Sequence, residues 1–213
     1  MVLDVVGSNP IAHPDFTGSD GRGERALVVV ELRAAASGRQ PALLLRPWGG
    51  DDIQDLLEIY RDPAMSASGR NPLETQDDAR RWLERQQAGW ADGTRLSFAV
   101  VCVNVAGAPA RAVGNVVLKG RSAGKDSAEV GYWTAPVARS RGVASAAVVT
   151  LTTWAFDSFG PDGLRRIELI HQLDNLASCR VAKKSGYALT GVLPAYPPAF
   201  PLDGHRHTRC SPD

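Results

Sequence analysis

Glu129-Val-Gly-Tyr-Trp-Thr-Ala-Pro-Val-Ala-Arg-Ser-Arg-Gly-Val-Ala-Ser145 reads as a short apolar strand, a tight Arg/Gly turn and the start of a long Ala/Val-rich segment. That order places the backbone N–H groups of Arg141 to Ala144 at a helix N-terminus. Unpaired donors and the positive end of the helix dipole meet there, which makes a seat for phosphate. Arg139 and Arg141 add two cations to the same turn. Asn175-Leu-Ala-Ser-Cys-Arg180 opens a second helix after a second strand. The two features together predict a pyrophosphate-bearing cofactor held between two splayed strands. Taken alone, the turn also reads as a plain strand-to-helix connection. It lacks both the Gly-Lys-Ser/Thr ending of a nucleotide P-loop and the three glycines of a dinucleotide fingerprint.

On either side of this stretch, strand and helix periods alternate. Leu43–Pro47 is a first strand; Asp51 then caps a helix with Ile53, Leu56, Leu57 and Tyr60 on one face, stopped at Asp62-Pro63. A loop covers 65–72, and Thr75 starts a second helix with Ala79, Trp82, Leu83, Gln86 and Trp90 inward. Segments 97–103 and 112–118 are apolar strands joined by a turn, an expected antiparallel pair. Strand 128–134 follows. Segment 142–159 is expected as helix despite its Val and Thr content, because a strand of that length would be unusual. Strand 166–172, helix 175–185 with Gly186 as its C-cap, and strand 187–193 complete the pattern. The fold class is α/β (α+β): a mixed, mostly antiparallel sheet with helices on both faces. Residues 1–40 form an expected flexible extension with one strand-like island at Ala26–Arg33, and 41–213 form the organised domain.

Composition bounds the function. The 213 residues, 44% hydrophobic and 22% charged, are enough for one domain with a real core. A net charge of +1 supplies no field for nucleic acid or an anionic membrane. Cys102, Cys179 and Cys210 show neither a disulfide framework nor a CxxC pair, and His205 and His207 lie far from other metal-ligand types in sequence, so no metal is expected. Met1–Pro10 carries no basic region before an apolar run, so no signal peptide is expected and the location is cytoplasmic.

Gly131-Tyr-Trp-Thr-Ala-Pro136, the Arg139–Ala144 turn, Asn175-x-x-Ser178 and Lys184-Ser-Gly-Tyr187 together resemble the GNAT acetyltransferase superfamily, in its RimJ/RimL-type branch of ribosomal-protein N-terminal acetyltransferases. The resemblance runs from about Ala42 to about His207. It implies acetyl-CoA as co-substrate, in the wedge between the fourth and fifth strands. The pyrophosphate then sits on Arg139, Ser140, Arg141, Gly142, Val143, Ala144 and Ser145, and the pantetheine arm on the strand edge at Trp133, Thr134 and Ala135. Asn175 braces the cofactor side, although Asn is also a preferred N-cap. The reaction implied is direct transfer of acetyl from thioester to a primary amine, a protein N-terminus or a small molecule.

By the same resemblance Ser178 is the general acid near the cofactor sulfur; its plainer reading is a first-turn helix serine. The positions where relatives carry a tyrosine or glutamate base hold Ala182, Ile170 and Pro136 here. Glu129, Glu168, His171 or a water relay remain as bases, Glu129 being placed with Ser178 in the catalytic set. Cys179 reads as a small core residue. Relatives end in an apolar seventh strand, whereas Thr208-Arg-Cys-Ser-Pro-Asp213 is neither apolar nor long, so the final strand is expected to be truncated. Leu27–Leu32 is the candidate to fill that place. A monomer or homodimer is expected. The rival reading is a non-catalytic acyl-CoA-binding or regulatory protein.

Overall fold

The structure, a computed structural model, describes residues 17–19, 25–27, 30–66, 72–103, 111–122 and 124–212. Most of the expected flexible extension lies outside these residues. Within it, β1 (Thr17–Ser19) and β2 (Arg25–Leu27) pair antiparallel with each other.

The main sheet has eight strands: β3 (Leu32–Ala34), β4 (Leu43–Pro47), β5 (Arg95–Cys102), β6 (Ala112–Lys119), β7 (Ser127–Thr134), β8 (Arg166–Gln172), β9 (Ala188–Leu193) and β10 (Gly204–Cys210). Their order is β3-β4-β5-β6-β7-β8-β10-β9. Every neighbouring pair is antiparallel except β7 and β8, which run parallel. The helices are α1 (Ile53–Tyr60), the single turn α2 (Pro63–Ser66), α3 (Gln76–Ala91), α4 (Val143–Phe159) and α5 (Leu176–Lys184).

Two expectations at the sheet edges are corrected. The final strand is not truncated: β10 inserts between β8 and β9 and pairs with β8 along all of its seven residues. Nor does the N-terminal island fill that place. Leu27 belongs to the β1–β2 pair, and Leu32 begins β3, which extends the opposite edge beside β4. Aliphatic content was the wrong criterion for β10. A strand flanked on both sides satisfies its backbone groups whatever its side chains, and that term is large.

Local chemistry sets the ends of α3 and α5 as expected, whereas at α1 the N-cap position is held by Asp52 rather than Asp51, which lies in the preceding 3-10 turn. Thr75 Oγ1 accepts from Asp78 N (3.1 Å) while Asp78 Oδ2 accepts from Thr75 N (2.9 Å), a reciprocal cap for α3. Gly186 follows α5 at φ +77°. The Val/Thr-rich α4 is helical because nearly its whole circumference is buried; Thr152 even shares a 2.6 Å hydrogen bond with the Tyr187 hydroxyl. Packing overrides its weak propensity.

Apolar side chains fill both faces of the sheet. One core joins Leu45, Phe98, Val116 and Val130 to Val148, Leu151 and Trp154 of α4. The other joins Trp48, Leu56, Leu83, Val101 and Trp133. Among the described residues no helix is long and apolar enough to cross a membrane.

Candidate active site

The parallel strands β7 and β8 pair through only three positions, Ser127 with Arg166, Ala128 with Ile167 and Glu129 with Glu168. Beyond that point they part. β7 stays paired with β6 as far as Thr134, and β8 with β10 as far as Gln172. Each strand therefore keeps its outer neighbour while its inner edge faces an opening. Ala135 N donates to Val113 O (2.8 Å), and Thr134 O accepts from Arg139 Nε (3.2 Å). Within the edge expected at Trp133 to Ala135 these two groups are engaged, and from Val130 onward β7 has no pairing with β8.

The turn expected to seat phosphate closes the open end of β7. Ser140 and Gly142 both adopt left-handed backbone, at φ +59° and +81°. Gly142 caps α4, and a Cβ there would lie 3.3 Å from Cβ of Gln40 as well as in a conformation L-residues avoid. The first intrahelical bond runs from Ala146 N to Gly142 O (3.0 Å), so the amides of Val143, Ala144 and Ser145 precede it. These amides therefore lack an intrahelical acceptor. Arg141 and Ser140 are exposed beside them. Arg139 instead turns its guanidinium back to Thr134 O and Met65 Sδ (3.9 Å), bracing the turn.

At the start of α5, Asn175 Oδ1 accepts from Ser178 N (3.0 Å), so Asn175 is the N-cap. Ser178 is buried, and its Oγ accepts a hydrogen bond from Tyr132 Oη (2.9 Å). This contact joins β7 to α5 across the parted strands. Tyr132 was not among the expected site residues; its neighbour Trp133 was. Strand alternation separates the two: Tyr132 faces α4 and α5, while the Trp133 ring is buried on the other face against Trp48 (5.9 Å) and Tyr60 (5.8 Å).

A family model described as acetyltransferase (GNAT) domain matches residues 42–188, the span that carries the parted strands and both helix starts. The chain belongs to the GNAT acetyltransferase family.

Solved GNAT structures share the fold. RimJ from Mycobacterium smegmatis, in complex with CoA-disulfide, superposes with a TM-score of 0.70 at 20% identity over 86% of this chain and 87% of that one. The microcin C7 self-immunity acetyltransferase MccE, in complex with acetyl-CoA and AMP, gives 0.68 at 15% identity over 79% and 92%. The Salmonella typhimurium acetyltransferase that modifies the N-terminal serine of 50S ribosomal protein L7/L12 gives 0.66 at 18% identity over 80% and 95%. No curated protein matches the chain.

The base candidates of this GNAT chain are dispersed. Glu129 Oε1 sits 2.7 Å from Lys119 Nζ at the closed end of the gap, and shares a strand face with Trp133 rather than with Tyr132. Glu168, its register partner, lies 4.0 Å from Arg166 Nε. His171 points away from both, under α5.

There the structure corrects two further expectations. His205 and His207 are not isolated, and Cys179 is not merely a core filler. His171, Cys179, His205 and His207 bring their donor atoms within 4.8 Å of one another. Burial, then the neighbouring His171 and His205, hold the His207 imidazole below its ordinary pKa. Sequence distance hid this group: β8, α5 and β10 supply it from separate segments.

Two cavities of about 220 Å³ have linings that include neither Ser178 nor the Val130–Trp133 stretch. One, between α1 and the end of β7, is lined by Asp55, Glu58 and Asp62, the first two bound to Arg111. The other lies against the start of α4, lined by Gln40 and Ser145 with Arg33 and Lys184 as its cations.

Proposed function

We propose that the protein is an acetyl-CoA-dependent N-acetyltransferase acting on a primary amine by direct attack, with no acyl-enzyme. The observation that carries this reading is the parting of β7 and β8 after Glu129 and Glu168, beside a helix whose first amides are unpaired. The residues fit the cofactor. The amides of Val143, Ala144 and Ser145 bind its diphosphate, with Arg141 as a cation beside them, and the Val130–Trp133 edge takes the pantetheine arm. Acetyl-CoA supplies an activated acetyl thioester.

The chain's own residues orient the reaction and manage protons. A backbone N–H on the inner edge of β7 stabilises developing negative charge on the acetyl oxygen. Because Tyr132 Oη donates to Ser178 Oγ, the serine's own proton is free to point into the gap, toward the departing sulfur. Glu129, Glu168 and His171 are each engaged elsewhere, so a water relay to solvent takes the proton from the attacking amine. A peptide N-terminus is the acceptor class favoured by the Salmonella typhimurium neighbour, whose substrate is a ribosomal protein. The setting is cytoplasmic, and the protein works as a monomer or homodimer.

Thiol release from acetyl-CoA, measured with a panel of peptides and small amines, tests the reading. Turnover with any amine supports it. Tight acetyl-CoA binding without turnover across the panel would replace it with the non-catalytic acyl-CoA-binding alternative.

A further inference from the structure

We propose that His171, Cys179, His205 and His207 form a closed, four-ligand site for a divalent transition-metal ion, zinc fitting best, that fastens α5 to β8 and β10. The argument begins with the register of the sheet. His205 on β10 stands opposite His171 on β8, and His207, two residues on, shares the face of His205. α5 crosses that face and sets Cys179 Sγ against all three rings, 3.5 Å from His171 Nε2, 3.2 Å from His205 Nδ1 and 3.9 Å from His207 Nε2. His171 Nε2 and His207 Nε2 are 3.3 Å apart.

These are the edges of a coordination tetrahedron. Metal–nitrogen bonds of about 2.05 Å and a metal–sulfur bond of about 2.3 Å give nitrogen–nitrogen edges of about 3.3 Å and nitrogen–sulfur edges of about 3.6 Å. The four edges above depart from those values by a few tenths of an ångström, and the remaining two are no longer than 4.8 Å. Three imidazoles with one thiolate is a zinc-type donor set, and a site with four protein ligands leaves no open position for a substrate.

The surroundings agree. His171 Nδ1 lies 2.8 Å from Gln172 O; a proton there leaves the Nε2 lone pair aimed at the centre of the cluster. His207 Nδ1 is buried, and its interaction with the Tyr187 backbone falls short of a full hydrogen bond. The inference also accounts for the oddest strand in the sheet. β10 lies between two neighbours yet presents imidazoles, where an inner strand ordinarily presents aliphatic side chains. A metal ion supplies the adhesion that those side chains would have given.

Binding is balanced by proton release. The Cys179 thiol gives up its proton to solvent as the sulfur–metal bond forms, and the three imidazoles bind neutral. Ser178 precedes Cys179 on α5, so the ion also steadies the turn that carries the proposed acid.

The test uses the full chain, stripped with a chelator and titrated with cobalt(II). One equivalent should bind, with the intense visible bands of tetrahedral cobalt and a near-ultraviolet thiolate-to-cobalt band. Zinc should abolish both, and Cys179→Ser should remove the thiolate band selectively. Zinc should also raise the melting temperature of the wild-type protein and shield one of its three cysteines, Cys179, from alkylation. Weak octahedral cobalt spectra, or a thiolate band that survives Cys179→Ser, would overturn the proposal. If the variant does not fold, the wild-type spectrum and the alkylation pattern decide; unchanged alkylation of Cys179 with zinc would equally overturn it. None of these readouts depends on acetyl transfer, so failure of the proposed enzymatic function would leave this result intact.

Discussion

Tyr132 Oη donates a 2.9 Å hydrogen bond to Ser178 Oγ, linking a strand and a helix just where the sheet has opened. Neither residue is close to the other in sequence, and the bond fixes which way the serine's proton can point. If Ser178 assists the departing sulfur, Ser178→Ala should lower kcat roughly ten- to a hundredfold in thiol-release assays, within the usual range for an acid–base group or somewhat below it. Tyr132→Phe should lower it by roughly tenfold with KM little changed. The double variant should be no slower than Ser178→Ala, because both substitutions remove one unit. Fully additive losses would separate the two roles.

Gly142 carries the conformational demand of the phosphate seat. At φ +81° and with Gln40 Cβ 3.3 Å from the position of a new Cβ, Gly142→Val should distort the first turn of α4. The dissociation constant of coenzyme A, measured by calorimetry, should rise at least roughly tenfold, about 1.4 kcal/mol. An unaltered constant would place the diphosphate elsewhere.

Asp52, at the start of α1, is a stability determinant. Both its oxygens receive the Arg46 guanidinium at 2.7 Å, and Oδ2 also accepts from Gly49 N at 2.8 Å. Asp52 is 3% exposed. Asp52→Ala leaves a half-buried guanidinium and an amide without their acceptor, so urea denaturation should show a loss of about 2–3 kcal/mol. A loss below half a kilocalorie would mean that water replaces the carboxylate at no cost.

Asp78 gives a pH signature. Hydrogen bonds from the Thr75 hydroxyl and backbone lower its carboxyl pKa to about 2. A carboxyl depressed in the folded state stabilises fully above its unfolded value, and that contribution is lost as pH falls toward 2. An NMR titration of the side-chain carboxyl should show this midpoint. In Thr75→Ala it should move back toward 3.8, the unperturbed value.

Much of the secondary structure was legible because its causes are local. Thr75 with Asp78, Asn175 before its helix and Gly186 after it act within a turn of themselves, and the apolar periods of α1 and α3 repeat over a few residues. The strand-turn-helix at Glu129–Ser145 was equally self-contained, so the opening between β7 and β8 and the unpaired amides at the start of α4 could be anticipated. Side-chain direction at the turn could not: the bond from Arg139 Nε to Thr134 O is a contact that the sequence does not announce.

The amino-acid order thus determined the helices, most of the strands and the place where the sheet opens, since backbone preference and periodicity depend on near neighbours. Only the tertiary structure decided the order of the edge strands, the meeting of Tyr132 with Ser178, and the convergence of His171, Cys179, His205 and His207. β10 shows why. With so few aliphatic residues it carries little local signal, and its position follows from backbone pairing to β8 and β9, with partners as far away in the chain as Arg166 is from Cys210. Contacts of that range form only when separate segments are packed together, which no local pattern encodes.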